Sequence, residues 1–248
     1  LVSLHSHGVS TEFIFVNKSM ASNYHYVLWY GADRTILIKH EPYKYQWPDI
    51  SSAKQPRWIY LSSIGDKAKH IHEHIASYLE QNPDVKLAFQ PGTFQIREGV
   101  SKLRRIYKKT EVFAVNLEEA QIITKSQTLD IPKLIRTIHS YGPKIVVITD
   151  GPKGSYASDG TTIYSMRNYP DPQKPYDRTG CGDAYTSTFV AAIASGEDII
   201  TALRWAPINP MSVAQQLGAQ AGLLPKQRLL NLLAHAPQDY KPKEIAKV

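Results

Sequence analysis

The stretch DRTGCGDAY, Asp177 to Tyr185, sets glycines at 180 and 182 just before a run of small and apolar residues. Glycine lets the backbone turn tightly and come close to a ligand, and the run that follows reads as the start of a buried helix. Amides at a helix start point outward and carry about half a positive charge, which favours phosphate oxygens. Asp183 falls in that first turn, where a carboxylate is stabilised and aimed at the same space. An amide cradle beside a carboxylate suits phosphoryl transfer to a hydroxyl: the carboxylate takes the alcohol proton while the amides hold the charge on the moving group. A glycine-rich helix start with an acidic first turn and no chemistry fits the same letters. No GxxxxGK[ST] phosphate loop occurs.

Four other stretches could do chemistry, and each has a plain structural reading. VNLEEA puts Asn116 at a strand end and Glu119 three residues on, the pattern of a helix capping box. VVITDGPKGSYAS reads as a strand, a glycine turn and a hairpin; FQPGT, Phe89 to Thr93, reads as a strand-end turn. HIHEH, His70 to His74, lacks the HExxH order of a zinc site, so solvated histidines are expected there. A helix start would lower the Cys181 thiol's pKa, which admits a thiolate nucleophile.

The elements that must position these residues follow from periodicity. NYHYVLWY and RTILIKH, joined by the turn signal GAD, predict a β-hairpin between Ser22 and His40. RWIYLSS predicts a short strand, and Ala68, Ile71, Ile75, Tyr78 and Leu79 form a helical stripe over Lys67 to Glu80. VKLAFQPGT predicts a strand and turn, Arg97 to Lys109 one helix, and EVFAVN a strand. Leu117 to Lys125 and Ile131 to Tyr141 predict helices, KIVVIT a strand, and SYAS and TTIY a hairpin turning at Asp159-Gly160. Strands alternating with helices from Arg57 to Thr149 argue a mostly parallel sheet covered on both faces. After Asp177 the chain reads as mostly helical.

Composition bounds the class. The 248 residues are 42% hydrophobic and 21% charged, ordinary for a folded globular chain. No apolar run approaches the ~18 residues of a membrane span, so no membrane partner is expected. One cysteine permits no internal disulfide, and a reducing cytoplasm is expected. The net charge of +7 suits phosphates, whether of nucleic acid or of a nucleotide. The densest basic run, SKLRRIYKK, carries Val100, Leu103, Ile106 and Tyr107 at helical spacing and reads as a solvated helix face. With no zinc-finger spacing or aromatic RNA-binding motif, no nucleic-acid partner is expected.

DRTGCGDAY resembles the C-terminal signature of the ribokinase-like, or PfkB, family of carbohydrate kinases, at Asp177, Thr179, Gly180, Cys181, Gly182, Asp183, Ala184 and Tyr185. The resemblance implies an α/β fold, a three-layer α/β/α sandwich with a mostly parallel sheet and a small β-hairpin lid, here within residues 12–45. It implies an ATP-dependent sugar kinase in which Asp183 is the catalytic base and the amides of Gly180, Cys181 and Gly182 form an anion hole. Asn116 and Glu119 resemble the family's Asn-x-x-Glu motif, which implies Mg2+ held through water. Thr149, Gly151 and Gly154 resemble its Thr-x-Gly-x-x-Gly stretch along the nucleotide, and Lys153 sits where a cation near the ATP phosphates would serve. RWAPINPMSVAQQLGAQ resembles the late helical segment beside the adenine, with Asn209 and the Gly218-Ala219 pair aligned. Pro207 and Pro210 depart from it, and a helix starting at Pro210 with Asn209 as its cap is expected. FQPGT is similar to an Asn-Pro-Gly-Thr turn of some members, with Gln90 in place of asparagine, and implies a substrate contact. By analogy K+ lies near Asp177 and Thr179.

Family members begin with a glycine- and aspartate-bearing strand and a Gly-Gly stretch that bind the sugar. LVSLHSHGVSTEFIFV is similar to the segment after those, so a chain without its sugar-binding segment is expected: a fragment, or a protein that has lost kinase activity. A nucleoside such as adenosine as acceptor, a nucleotide-binding protein without catalysis, and a basic nucleic-acid binder are the alternatives. A homodimer pairing through the lid strands is a further expectation.

Overall fold

The computed structural model describes residues 1–30, 33–39, 41–50 and 55–248. By backbone contacts the chain divides into two units, residues 1–55 with 65–74, and residues 56–64 with 75–248.

The first unit opens with a short helix, α1 (Val2–Ser6), and carries the expected hairpin, β1 (Tyr24–Tyr30) and β2 (Asp33–Lys39). The strands run antiparallel from Tyr24 opposite Lys39 to Tyr30 opposite Asp33. The turn residues Gly31 and Ala32 lie outside the described residues. Tyr24, Tyr26 and Leu28 alternate along β1 and, with Leu37 of β2, are exposed. Outside the hairpin, side chains tie the chain to itself: Asn23 Oδ1 accepts from the Glu41 amide at 2.7 Å, and the Tyr45 hydroxyl accepts from the Gly65 amide at 3.0 Å.

The remaining elements are β3 (Trp58–Leu61), α2 (Lys69–Gln81), β4 (Lys86–Phe89), α3 (Thr93–Glu98), α4 (Arg104–Lys109), β5 (Thr110–Asn116), α5 (Leu117–Thr124), α6 (Ile131–Ser140), β6 (Ile145–Thr149), β7 (Ser155–Ser158), β8 (Thr162–Met166), α7 (Cys181–Ala194), α8 (Ile199–Trp205), α9 (Ile208–Val213), α10 (Lys226–Ala234) and β9 (Lys243–Lys247). One sheet orders its strands β3-β4-β5-β6-β7-β8-β9. β3 to β6 run parallel and β7 to β9 antiparallel. Strand side chains alternate between faces, and the sheet uses both. Val112, Ala114 and Val147 join the core formed with Tyr185, Phe189, Leu203, Trp205 and Leu229 from α7, α8 and α10. On β5 the intervening Phe113 stacks edge-on with Phe89 and at a tilt with Tyr107, while Val146 and Ile148 of β6 are fully buried. The sheet therefore has helices on both faces, as the alternation of elements implied.

Four expectations are corrected. The helix over Arg97 to Lys109 is two helices, because Gly99 ends α3 with φ of 85°, a conformation that favours glycine. Leu103, Ile106 and Tyr107 are nevertheless buried, and the cationic ends of Lys102, Arg104, Lys108 and Lys109 face water. Second, β9 adds a strand to a segment read as helical. Its KEIAK is mostly exposed, and its charges suit the edge of a sheet. Third, α9 starts at Ile208 with Pro207 before it, not at Pro210 with Asn209 as cap. Pro210 sits in the first turn, where an absent N–H breaks no helical bond. Fourth, His72 within HIHEH is buried, although His70 and His74 are exposed.

Candidate active site

α7 is where the glycine motif and the sheet meet. Gly180 precedes the helix with φ of 79°, a left-handed conformation natural to glycine, and a Cβ there would stand 2.5 Å from the Ala219 Cβ. The turn is closed from beneath by Asp177. Its buried carboxylate accepts from the Thr179 amide at 2.8 Å through Oδ1 and from the Gly218 amide at 3.1 Å through Oδ2. The helix is pinned further along by the buried Tyr185 hydroxyl on Ser155 Oγ at 2.7 Å, whose pKa burial pushes far up.

The first intrahelical bond of α7 runs from the Ala184 amide to the Gly180 carbonyl at 2.8 Å. The four amides before it have no partner inside the helix by geometry. The Cys181 amide reaches the Arg178 carbonyl at 3.3 Å; among the described residues, no acceptor meets the amides of Gly180, Gly182 or Asp183. A Cβ on Gly182 would meet nothing within 4 Å, so open space lies over it. The amides of Gly180, Cys181 and Gly182, expected as an anion hole, all lie at this helix start. The Cys181 thiol is a weak donor to the Pro210 carbonyl at 3.6 Å.

Asp183 is exposed, and its Oδ1 accepts from Gln90 Nε2 at 2.9 Å. Gln90 Oε1 in turn accepts from the Tyr60 hydroxyl at 2.5 Å. Burial, and next the charge of Asp183, push the Tyr60 phenol well above the usual tyrosine range. Gln90 is fixed in the backbone by its amide's bond to the Leu61 carbonyl at 2.9 Å. The turn after it is packed equally tightly: a Cβ on Gly92 would overlap Ser63 Oγ at 1.9 Å. Gln95, buried in α3, accepts from the Gly92 amide at 2.7 Å and donates to the Ser62 carbonyl at 3.0 Å.

Asn116 and Glu119 form the reciprocal cap of α5. Asn116 Oδ1 accepts from the Glu119 amide at 2.8 Å, and Glu119 Oε2 accepts from the Asn116 amide at 2.9 Å. Glu119 is half-buried, and its carboxyl lies above its ordinary range. Burial is the main cause; the Asn116 amide opposes it, and the charges of Asp183 and Glu118 add to it. Glu119 and Asp183 thus repel across a shared space, and among the described residues neither has an ion-pair partner. That combination suits a divalent cation.

On the other side of the α7 start lies a cleft lined by Thr149, Gly151, Gly154, Asn168, Tyr169, Arg178, Gly182, Pro207 and Met211, among others. Three of the residues expected along a nucleotide are present. Gly154 has φ of 97°, and a Cβ there would strike the Met166 carbonyl at 2.2 Å. Two expected residues are not in the cleft. Lys153 reaches Asp150 at 3.6 Å and lines a separate groove with Arg167 and Lys243. Asn209 is buried, with Nδ2 donating to Thr188 Oγ1 at 2.8 Å and Oδ1 accepting from the Leu224 amide at 2.8 Å, so both ends of its amide are engaged within the protein. Arg178 supplies the cationic side chain in the cleft wall, and it was legible as the unassigned letter of DRTG.

An α/β sheet that is parallel on one side and antiparallel on the other holds this glycine-started helix over a cleft, with a carboxylate in its first turn, a place that favours phosphate oxygens. The sequence model of the pfkB family of carbohydrate kinases matches residues 1–227, and the chain belongs to that family. It is 35% identical over 106 residues to a cytidine kinase of Thermococcus kodakarensis, a match that covers 41% of this chain and 36% of that protein. The fold is similar to that of a nucleoside kinase of Burkholderia thailandensis in complex with inosine, with a TM-score of 0.77 and 18% identity over 97% of this chain and 78% of the other. It is also similar to ribokinase of Arabidopsis thaliana complexed with ribose and ATP, with a TM-score of 0.70 and 20% identity over 85% of this chain and 69% of that one.

Proposed function

We propose that this protein transfers the γ-phosphoryl group of ATP to a hydroxyl of a carbohydrate. The observation that carries the proposal is the start of α7, where the amides of Gly180, Gly182 and Asp183, unmatched among the described residues, adjoin the Asp183 carboxylate. ATP lies along Thr149, Gly151 and Gly154, with the guanidinium of Arg178 toward its phosphates. Asp183 takes the proton of the acceptor hydroxyl, and the amides hold the charge that develops on the transferring group. Glu119 and Asn116 would hold Mg2+ through water, and the unneutralised repulsion between Glu119 and Asp183 fits such an ion. When bound, the ion supplies positive charge against the phosphates of ATP. K+ near Asp177 and Thr179 is carried over by family analogy alone; there Asp177 accepts one backbone amide on each oxygen, that of Thr179 and that of Gly218.

A nucleoside acceptor is the second reading, favoured by the similarity to a cytidine kinase. We assign the hairpin of the first unit the role of a lid by family resemblance, and its exposed Tyr26 and Leu37 the pairing with a second copy. Loss of dimer in Tyr26→Lys, read by light scattering, tests the latter. A reducing cytoplasm suits the single cysteine.

The test is acceptor-dependent release of ADP with ribose, fructose, ketodeoxygluconate, adenosine and cytidine, with the phosphorylated product weighed by mass spectrometry. Asp183→Asn is expected to keep ATP binding and to lose about 10²- to 10⁴-fold in turnover. ATP binding without turnover on any acceptor would instead support a nucleotide-binding protein without catalysis.

A further inference from the structure

We infer that Gln90, itself oriented by Tyr60, is the positioning residue for Asp183: its amide grips Oδ1 and leaves Oδ2 to receive the acceptor's proton. This rests on the proposed role of Asp183 as base. An exposed carboxylate in the first turn of a helix has several rotamers open to it, and proton transfer needs one of them.

The orientation of the relay follows from donor chemistry. An ionised carboxylate only accepts, so Gln90 must turn its NH2 toward Asp183. Its carbonyl oxygen then faces Tyr60, which must donate. The phenol keeps its proton and supplies that donor, because the Gln90 oxygen can only accept. Each link sits on a rigid part of the fold: Tyr60 in β3, Gln90 just after β4, and Asp183 in α7. The close fit of Gly92 on Ser63 and the buried Gln95 hold the Gln90 turn from behind. Among the described residues, Glu119 of α5, itself beside Glu118, carries a charge that acts against that of Asp183. Gln90 therefore holds the base by hydrogen bonding where a lysine would neutralise it.

The test uses the full chain with Gln90→Leu, Gln90→Glu and Tyr60→Phe, read by kinetics and by carbon-13 signals of the aspartate carboxyls. Gln90→Leu should lower kcat about 10- to 100-fold while KM for ATP stays within about twofold. Gln90→Glu sets a second carboxylate against Asp183, and the acid limb of the kcat–pH profile should move up by about one pH unit or more. Tyr60→Phe should lower kcat about threefold alone and add nothing to Gln90→Leu, because the two act as one unit. The carboxyl signal that Asp183→Asn removes should move in Gln90→Leu relative to the parent chain as the hydrogen bond is lost, a readout that needs no turnover. An unmoved signal, or an unchanged kcat and pH profile in Gln90→Leu, would overturn the inference. Unchanged turnover in Asp183→Asn would instead refute the base assignment, with the carboxyl signal still reporting whether Gln90 grips Asp183.

Discussion

Replacing Asn209 by alanine separates two duties that a late helical asparagine could have. The family resemblance aligns Asn209 beside the adenine, whereas its amide donates to Thr188 and accepts from the Leu224 amide, both at 2.8 Å. Thr188 in turn donates its hydroxyl proton to the Ala184 carbonyl at 2.7 Å. Asn209→Ala removes two hydrogen bonds of about 1 kcal/mol each and leaves the part-buried Leu224 amide without its acceptor, for a total of about 3 kcal/mol. In a chain of this size that corresponds to a fall in Tm of about 6 to 12 °C. Thermal unfolding measures it, and calorimetric titration of ATP well below the new midpoint measures the other duty. The expected result is a large loss of stability with ATP affinity within about threefold of the parent. A double cycle with Thr188→Val should return a coupling of about 1 kcal/mol. A Tm within about 2 °C of the parent, together with ATP binding weakened more than about tenfold, would refute the reasoning and return Asn209 to the adenine.

Other outcomes follow from the same geometry. Arg178→Ala should weaken ATP binding about tenfold, with a reduced dependence on salt, whereas Lys153→Ala should leave it unchanged; titration calorimetry at two salt concentrations checks both. Gly154→Ala combines a left-handed φ with a Cβ that strikes the Met166 carbonyl, and should cost about 3 kcal/mol in urea unfolding; an unshifted midpoint would refute it. Burial lowers the pKa of His139 from its ordinary 6.5, against its bond to the Pro143 carbonyl and the charge of Asp159. The folded state thus binds this proton less well than the unfolded one. The stability tied to neutral His139 is full above pH 6.5 and is lost as pH falls through the folded value. Unfolding midpoints of the parent should drop over that window, and those of His139→Gln should drop less.

What the sequence made legible was local. The capping box of Asn116 and Glu119, the Asp159-Gly160 hairpin turn and the glycine start of α7 each depend on residues a few positions apart, and each is present. The strands of the sheet follow from β-branched runs whose alternation sorts Val112 and Phe113 to opposite faces. The misses are of two kinds. β9 carries too many charges to read as a strand, because an edge strand needs little burial. The grip of Gln90 on Asp183 joins residues 93 positions apart, and that of Tyr60 on Gln90 joins residues 30 apart, so neither leaves a local pattern. The partners of Asn209 were hidden for a related reason: a motif fixes the residue type, while the neighbours that engage its amide, Thr188 and Leu224, come from other segments.

The cap of α5 has a consequence for engineering. Glu119 uses one oxygen to close the helix and keeps a half-buried charge that repels Asp183. Glutamine fills the same capping role without the charge, so Glu119→Gln relieves the repulsion and retains the cap. On the proposed function, that change removes the anion a divalent cation needs. A library selected only for heat resistance therefore sets no barrier to Glu119→Gln, and so none to well-folded, inert proteins. Selection on this scaffold has to reward turnover and endurance together, because here they compete for one carboxylate.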